Sequence, residues 1–321
     1  MRNFSPYQED RFKYTKSTSC LSRGGKFAKQ INAPQTRQQS LFETRLTGSR
    51  SKMWRVKYNF LMKKYLVVFT VTIKEYFVYR LNFILWRFRV VLNLLLPLFL
   101  WSSVFEKQAV IGNYDKTVFI SYLLYGNLIA TFVFGTRTFD ISSDINDGKI
   151  INTLLKPVSF FSYNFVKELA DKAVNFFFAI FEIIFLIWLF KLKIIYPNNL
   201  LLFIPIFINS ILISYFINLT LSFLGFWTTE VWPIRFIFTM LLFFVAGNYF
   251  PLDILPKPVY NLILATPFPY MFYLPTKILI SHPTIQPFSY ILLSYFWLFA
   301  SYFLARLVWQ KGIKSFSFWG R

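Results

Sequence analysis

From about residue 90 onward, apolar positions stop alternating with polar ones and gather into long runs separated by short charged islands. Six runs stand out, at 83–105, 117–136, 173–190, 200–227, 236–252 and 283–305. Each approaches the roughly 20 residues that carry a helix through a hydrocarbon layer of about 30 Å. Backbone amides in lipid must be satisfied within their own segment, so these runs are read as helices. Pro97 is a kink in the first, and Arg87 and Arg89 near its start are expected to snorkel toward the interface. The fourth is long enough to require tilting. Glu182 is the one acid inside a run, in the third.

Before the first run the pattern changes. Val56, Phe60, Tyr65, Val68, Thr72, Tyr76 and Tyr79 recur every three to five residues, with Lys63, Lys64, Lys74 and Arg80 between them. That spacing predicts an amphipathic helix on the cytoplasmic interface over 53–82, because eight apolar or Thr residues at 66–73 are too few to span. Residues 1–52 are polar, basic and without periodicity, and are read as a disordered leader. Two origins are open for it, a native basic or transit-like leader and an upstream-extended start with Met53 as the natural beginning; the second is favoured. Between runs five and six, Pro267, Pro269 and Pro275 break the uncharged stretch 258–276. It fits a short re-entrant hairpin in the outer leaflet or a loop with apolar contacts to the bundle. The expected architecture is an all-α polytopic membrane protein. A six-span domain over 83–309 follows the interfacial helix, carries the hairpin between spans five and six, and ends in a cytoplasmic tail over 310–321.

Composition agrees. A mean hydropathy of +0.46 with 42 Phe suits a chain whose solvent is largely lipid. Single Cys20 and His282 exclude disulfides and histidine-cluster metal sites, and no metal site is expected. The net charge of +21 would suggest nucleic acid in a soluble protein. Here 19 of the 35 basic residues lie within 1–89 and adjoin the first apolar run, which points to anionic lipid and away from nucleic acid. With both termini inside, the segments from residue 54 onward hold 18 basic residues inside and six outside, favouring cytoplasmic termini. Eight of the 18 lie in 54–89, and Lys191 and Lys193 fall on the opposing side. Trp101, Tyr122, Trp188, Trp227, Trp232, Tyr249 and Trp309, near span ends, read as interfacial anchors.

Candidate chemistry is concentrated in the loop after the second run. Asp140, Asp144 and Asp147 precede Gly148, followed by Leu154, Leu155, Lys156 and Pro157. This is a short helix with early acids, a glycine permitting close backbone approach and an apolar turn stopped by proline. Such an element suits docking into a groove of a cytosolic partner. The order of acidic cluster, Gly148, Leu154-Leu155 and Lys156-Pro157 resembles the coupling-helix region of ATP-binding-cassette permeases of the type 2 export class, ABC-2. Gly247 with Phe250-Pro251, then Pro256 and Pro267-Phe268, is similar to that class's segment after span five, where an outer re-entrant hairpin begins. The tail from Trp309 through Lys311-Gly312 and Lys314 is similar to that of a bacterial six-span subfamily. The resemblance runs from about Tyr58 to the C-terminus.

The resemblance implies an export permease in the bacterial cytoplasmic (inner) membrane, working as a homodimer or as a heterodimer with a second permease. It implies a separate ABC ATPase subunit docked on the loop around Asp144–Pro157, with ATP and magnesium carried there and no cofactor or catalytic residue on this chain. One departure is Ile151 and Asn152, where many members have an acid. A phosphate-cradling loop is absent by spelling: Gly25-Lys26 and Gly148-Lys149 lack both the upstream glycine and the following Ser or Thr. Glu182 is either a site for a substrate cation or proton, or a structural partner for a Ser, Asn or Thr of another helix, the second being favoured. Two rival functions remain, an ion-coupled secondary transporter using Glu182 and a membrane-embedded transferase, for which the three loop aspartates would have to gather a cation.

Overall fold

The computed structural model describes residues 62–134, 137–280 and 287–316. The leader, residues 53–61 of the interfacial segment, His282, Pro283 and the end of the tail lie outside the described residues. Helix α1 covers 62–78, and the backbone breaks at Tyr79 (φ −100°, ψ 42°) before α2, Arg80–Lys107. A two-residue antiparallel hairpin, β1 (Val110–Ile111) and β2 (Tyr114–Asp115), pairs Val110 with Asp115 and leads into α3, Lys116–Val133. The Asp115 carboxylate accepts the Val118 amide and caps α3. Two short loop helices follow, α4 (Thr138–Asn146) and α5 (Ile150–Leu154), then the long α6 (Phe160–Phe190) and α7 (Leu200–Ser222), which tightens into a 3-10 turn at Phe223–Phe226.

The remaining elements are α8 (Trp232–Val245), a 3-10 turn at Leu252–Ile254, α9 (Lys257–Leu264), α10 (Phe268–Met271), α11 (Tyr273–Leu279) and α12 (Pro287–Ser315). Five helices among the described residues are long and apolar enough to cross a membrane: those beginning at Arg80, Lys116, Phe160, Leu200 and Phe288. α8 is apolar but has 14 residues, about 21 Å at 1.5 Å per residue and so shorter than a bilayer core.

α3 and α7 form the centre of the bundle. α12 runs along α7, α2 and α6 flank α3, and α10 and α11 fold back onto α3 and α7. The largest buried cluster joins Phe119, Tyr122 and Ile129 of α3 with Ile206 and Ile213 of α7 and Tyr270 through Leu274. α11 is buried throughout and α10 from Pro269 onward, whereas α9 has no fully buried residue. Outward faces are apolar as well: Phe177, Phe181, Phe185 and Trp188 of α6 and Phe288, Phe296, Phe299 and Phe303 of α12 are exposed. A protein in water rarely leaves such rows open; a surface in contact with lipid tails loses nothing by them.

α6 begins at Phe160, well before the run at 173 that marked it in the sequence. The added turns carry Glu168, Asp171 and Lys172, all buried and paired, so their charge does not end the helix. Arg87 also differs from expectation. It turns into the bundle, while Arg89 lies over the Trp86 ring at 3.9 Å. Of the expected interfacial anchors, Tyr122 is fully buried, while Trp309, stacked 4.4 Å from Phe160, and Trp101, donating to the Tyr249 carbonyl at 2.9 Å, are half-buried.

Gly247 ends α8 in the left-handed region (φ 81°), with the Asn248 amide bonded to Phe243 O and the Gly247 amide to Phe244 O. The Tyr122 hydroxyl donates to the Gly247 carbonyl at 2.6 Å and so ties α3 to this turn. Tyr122→Phe is expected to cost about 1–3 kcal/mol by leaving a buried carbonyl unpaired. A lowered unfolding midpoint in detergent would bear this out; an unchanged midpoint would refute it.

Candidate functional site

The loop from α4 to α6 is divided by burial. Ile141, Ile145 and Ile150 point inward, joining Tyr215, Leu219, Phe223 and Phe226 from the end of α7. α4 thereby lies flat against the α7 end. At Gly225 a side chain would sit 3.0 Å from the Ser142 carbonyl, so the two backbones nearly touch there. Asn146 Nδ2 donates to Thr229 O at 2.7 Å and closes the same seam.

The residues toward the tip of the loop face away. Asp147 is paired with Lys149 at 2.6 Å, and the carboxylate holds the exposed lysine above its usual range. Leu154 and Leu155, the last residues of α5 and its cap, are 38% and 79% exposed. Lys156 Nζ bonds the Tyr163 hydroxyl at 2.9 Å, and Lys64 Nζ of α1 reaches the Pro157 carbonyl at 3.3 Å, so the C-terminal flank of this apolar tip is pinned twice. Asp144 is half-buried on α4. Among the described residues no three His, Cys, Asp or Glu side chains are arranged to hold a metal, so Asp140, Asp144 and Asp147 do not converge as ligands.

Within this chain Gly148 is set by its backbone angle. Nothing lies within 4 Å of the position a side chain would take. Its φ of 71° is the constraint, reversing the chain directly after the Asp147 cap of α4 so that Ile150 can turn back inward. Gly148→Ala should therefore destabilise by about 1–2 kcal/mol through backbone strain alone. Gly148→Asn should cost less, and equal unfolding midpoints for the two variants would argue against that cause.

The second group of sequence candidates lies at the opposite end of α8. Gly247, Pro251, Pro256 and Pro267 each sit at an element boundary: after α8, before the 3-10 turn, before α9 and before α10. They divide the segment into its short helices and turns. Beside them lies a polar cluster that the sequence did not single out. Lys277 Nζ is paired with Asp253, which accepts the Tyr114 hydroxyl at 2.9 Å, and Lys277 also donates to the Tyr273 hydroxyl at 2.9 Å. Burial, then the Asp253 charge, pushes the Tyr114 hydroxyl far above the ordinary tyrosine range, so it stays protonated and keeps donating.

Glu182 meets Arg87. The arginine Nε donates to Oε1 at 2.7 Å and Nη2 pairs with Oε2, while Nη1 reaches Asn175 Oδ1 at 3.2 Å. The pair belongs to a longer chain of contacts. Asn175 Nδ2 donates to Asp171 Oδ2 at 3.1 Å, Asp171 lies 3.4 Å from Arg137 Nε, and Arg137 Nη1 donates to Glu75 of α1 at 2.9 Å. Glu168 accepts the Arg137 amide at 3.2 Å and pairs with Lys172 at 3.3 Å. Lys172 Nζ and Ser214 Oγ bond the carbonyls of Phe132 and Val133, which end α3. Positions 168, 171, 175 and 182 share one helical face, and that spacing was the signal available in the sequence.

Arg235, in the first turn of α8, is likewise buried. Its guanidinium donates to Ser222 Oγ at 2.6 Å, Thr138 Oγ1 at 2.8 Å, Thr138 O at 3.1 Å and Asn218 Oδ1 at 3.2 Å. A single arginine on an island between two runs gave no sign of this in the sequence.

The arrangement combines an exposed apolar tip on a loop packed at one end of a helical bundle with ion pairs that bind the helices laterally. No curated protein gives a significant match to the sequence. One family matches, described as "ABC-2 family transporter protein", over residues 91–320, which is more than half of the chain and begins within α2. With that match and helices of this length and apolarity, the chain belongs to the ABC-2 family of transporters and is a multi-pass membrane permease.

Proposed function

We propose that this chain is the membrane-spanning subunit of an ATP-binding-cassette exporter, moved by a separate ATPase that docks on the loop formed by α4 and α5. The observation that carries the reading is the Leu154–Leu155 tip: two apolar side chains exposed at the end of a loop whose inner face is packed and whose C-terminal flank is pinned. Exposed leucines at a lipid-facing helix need no partner; on a charged loop between Lys149 and Lys156 they do. The docking residues are Asp144, Asp147, Gly148, Leu154, Leu155 and Pro157, with ATP and magnesium held by the partner.

In this reading the chain crosses the inner membrane six times with both termini cytoplasmic. α8 is the short fifth crossing, and the segment from Gly247 through α11 completes it as a re-entrant element in the outer leaflet. The burial of α10 and α11 against α3 and α7 supports that placement. Two permeases, identical or not, assemble with two ATPases, and substrate passes outward between them. An ion-coupled mechanism through Glu182 is disfavoured because Arg87 engages both carboxylate oxygens. Purification of the tagged chain from its native membrane in mild detergent tests the proposal. Recovery of an ATPase with a phosphate-binding loop is the expected result. Its absence, in a preparation where other membrane complexes survive, would overturn the reading.

A further inference from the structure

A load applied at Leu154–Leu155 must enter the bundle somewhere, and the packing around α4 offers a specific route. Arg235 is 1% exposed and, among the described residues, has no carboxylate within ion-pair distance. Its rigid fork is answered by neutral acceptors on two other elements: Thr138 at the start of α4, and Asn218 and Ser222 at the end of α7. The plane of the guanidinium also lies over Phe139 of α4, 3.7 Å from its ring centroid. One side chain of α8 thereby holds the loop helix and the preceding membrane helix together.

Neighbouring contacts make this junction stiff. Ser222 Oγ also donates to Thr138 O at 2.6 Å, and α4 lies directly on the 3-10 turn at Gly225. The Phe226 ring is pressed onto Gly312 of α12, where an added carbon would lie 2.2 Å away. α4, the end of α7, the start of α8 and the end of α12 therefore form one packed body.

We propose that Arg235 is a positioning residue that couples α4 to the α7–α8 turn, so that displacement of the loop by a docked ATPase carries α8 with it. This rests on the reading of the loop as the ATPase contact. A buried cation with no carboxylate in direct contact costs desolvation energy that a leucine would avoid, and a transmission role supplies a reason for its presence.

The test uses the full permease–ATPase complex in lipid nanodiscs, in a Cys20→Ser background that removes the only cysteine. Spin labels at Leu169→Cys on α6 and Ile237→Cys on α8, both exposed, report the distance between those helices. In the otherwise unchanged chain, trapping with ATP and vanadate is expected to shift that distance by about 2 Å or more. Arg235→Met should abolish the shift while the ATPase remains bound in the same ratio and still hydrolyses ATP. Arg235→Lys should not restore it, because a point charge cannot bridge the separate acceptors. A full shift in Arg235→Met overturns the proposal. Should that variant fail to fold, the double variant Asn218→Ala, Ser222→Ala removes two acceptors, and a full shift there overturns the proposal equally. Failure of the unsubstituted chain to retain an ATPase would overturn the docking reading, and this proposal with it; a retained ATPase with an undiminished shift overturns this proposal alone.

Discussion

Arg87→Leu is expected to lower the unfolding free energy by about 3–5 kcal/mol, more than any other single substitution considered for the bundle. The loss comes less from the missing attraction than from what stays behind. Glu182 would keep its place in α6, among lipid-facing Phe178, Phe181 and Phe185, without the two arginine donors that now satisfy its oxygens. An unpaired carboxylate at that depth costs about 2.5–3.5 kcal/mol on insertion scales, and Asn175 would lose its donor as well. The paired variant Arg87→Leu, Glu182→Leu should recover most of the loss, since a buried ion pair replaced by apolar groups is often close to neutral. Unfolding midpoints of the two single variants and the double variant in detergent form the cycle. A double variant as damaged as Arg87→Leu would show that the pair contributes through geometry beyond its charge.

The second large effect is expected at the loop tip. Leu154→Ser with Leu155→Ser should leave the unfolding midpoint nearly unchanged, because both side chains face away from the packed cluster of α4 and α7. Binding of the ATPase should fall much further. Apolar anchors at the centre of an interface contribute about 2 kcal/mol or more each, which is roughly a 30-fold loss of affinity per residue. Quantifying co-purified ATPase against the unsubstituted chain gives the answer directly. Unaltered recovery of the ATPase would remove Leu154 and Leu155 from the contact. A collapsed midpoint would mean that the tip is structural.

These two predictions show how unevenly the molecule was legible. The five long apolar helices were readable because transfer of an apolar run into lipid depends on composition and length, which a sequence carries in full. For the same reason the loop glycine, the double leucine and the following proline could be found by order alone. What misled was charge. The apolar run at 173–190 marks only part of α6, which runs unbroken from Phe160 through Lys167, Glu168, Asp171 and Lys172. A charge ends a buried helix only when it lacks a partner, and partners come from elsewhere: Arg137 and the end of α3 for this group, Arg87 for Glu182.

The two loop-side glycines serve different physics. Within this chain open space surrounds Gly148 and its backbone angle is the constraint. Gly225, by contrast, is where the backbones of α4 and the 3-10 turn meet. Sequence alone does not separate these cases, because a missing side chain is the same symbol whether it serves a dihedral angle or a neighbour.

By itself, then, the sequence determined the solvent, the helical class, the number of apolar runs and the position of the loop that resembles a coupling element. These depend on local composition, and lipid reads composition one helix at a time. Only the tertiary structure decided which buried charges meet, that Arg235 joins α4 to α7, and that Leu154 and Leu155 are left outside the packing. Such outcomes depend on distances between residues tens of positions apart, and they exist only once the helices have chosen their neighbours.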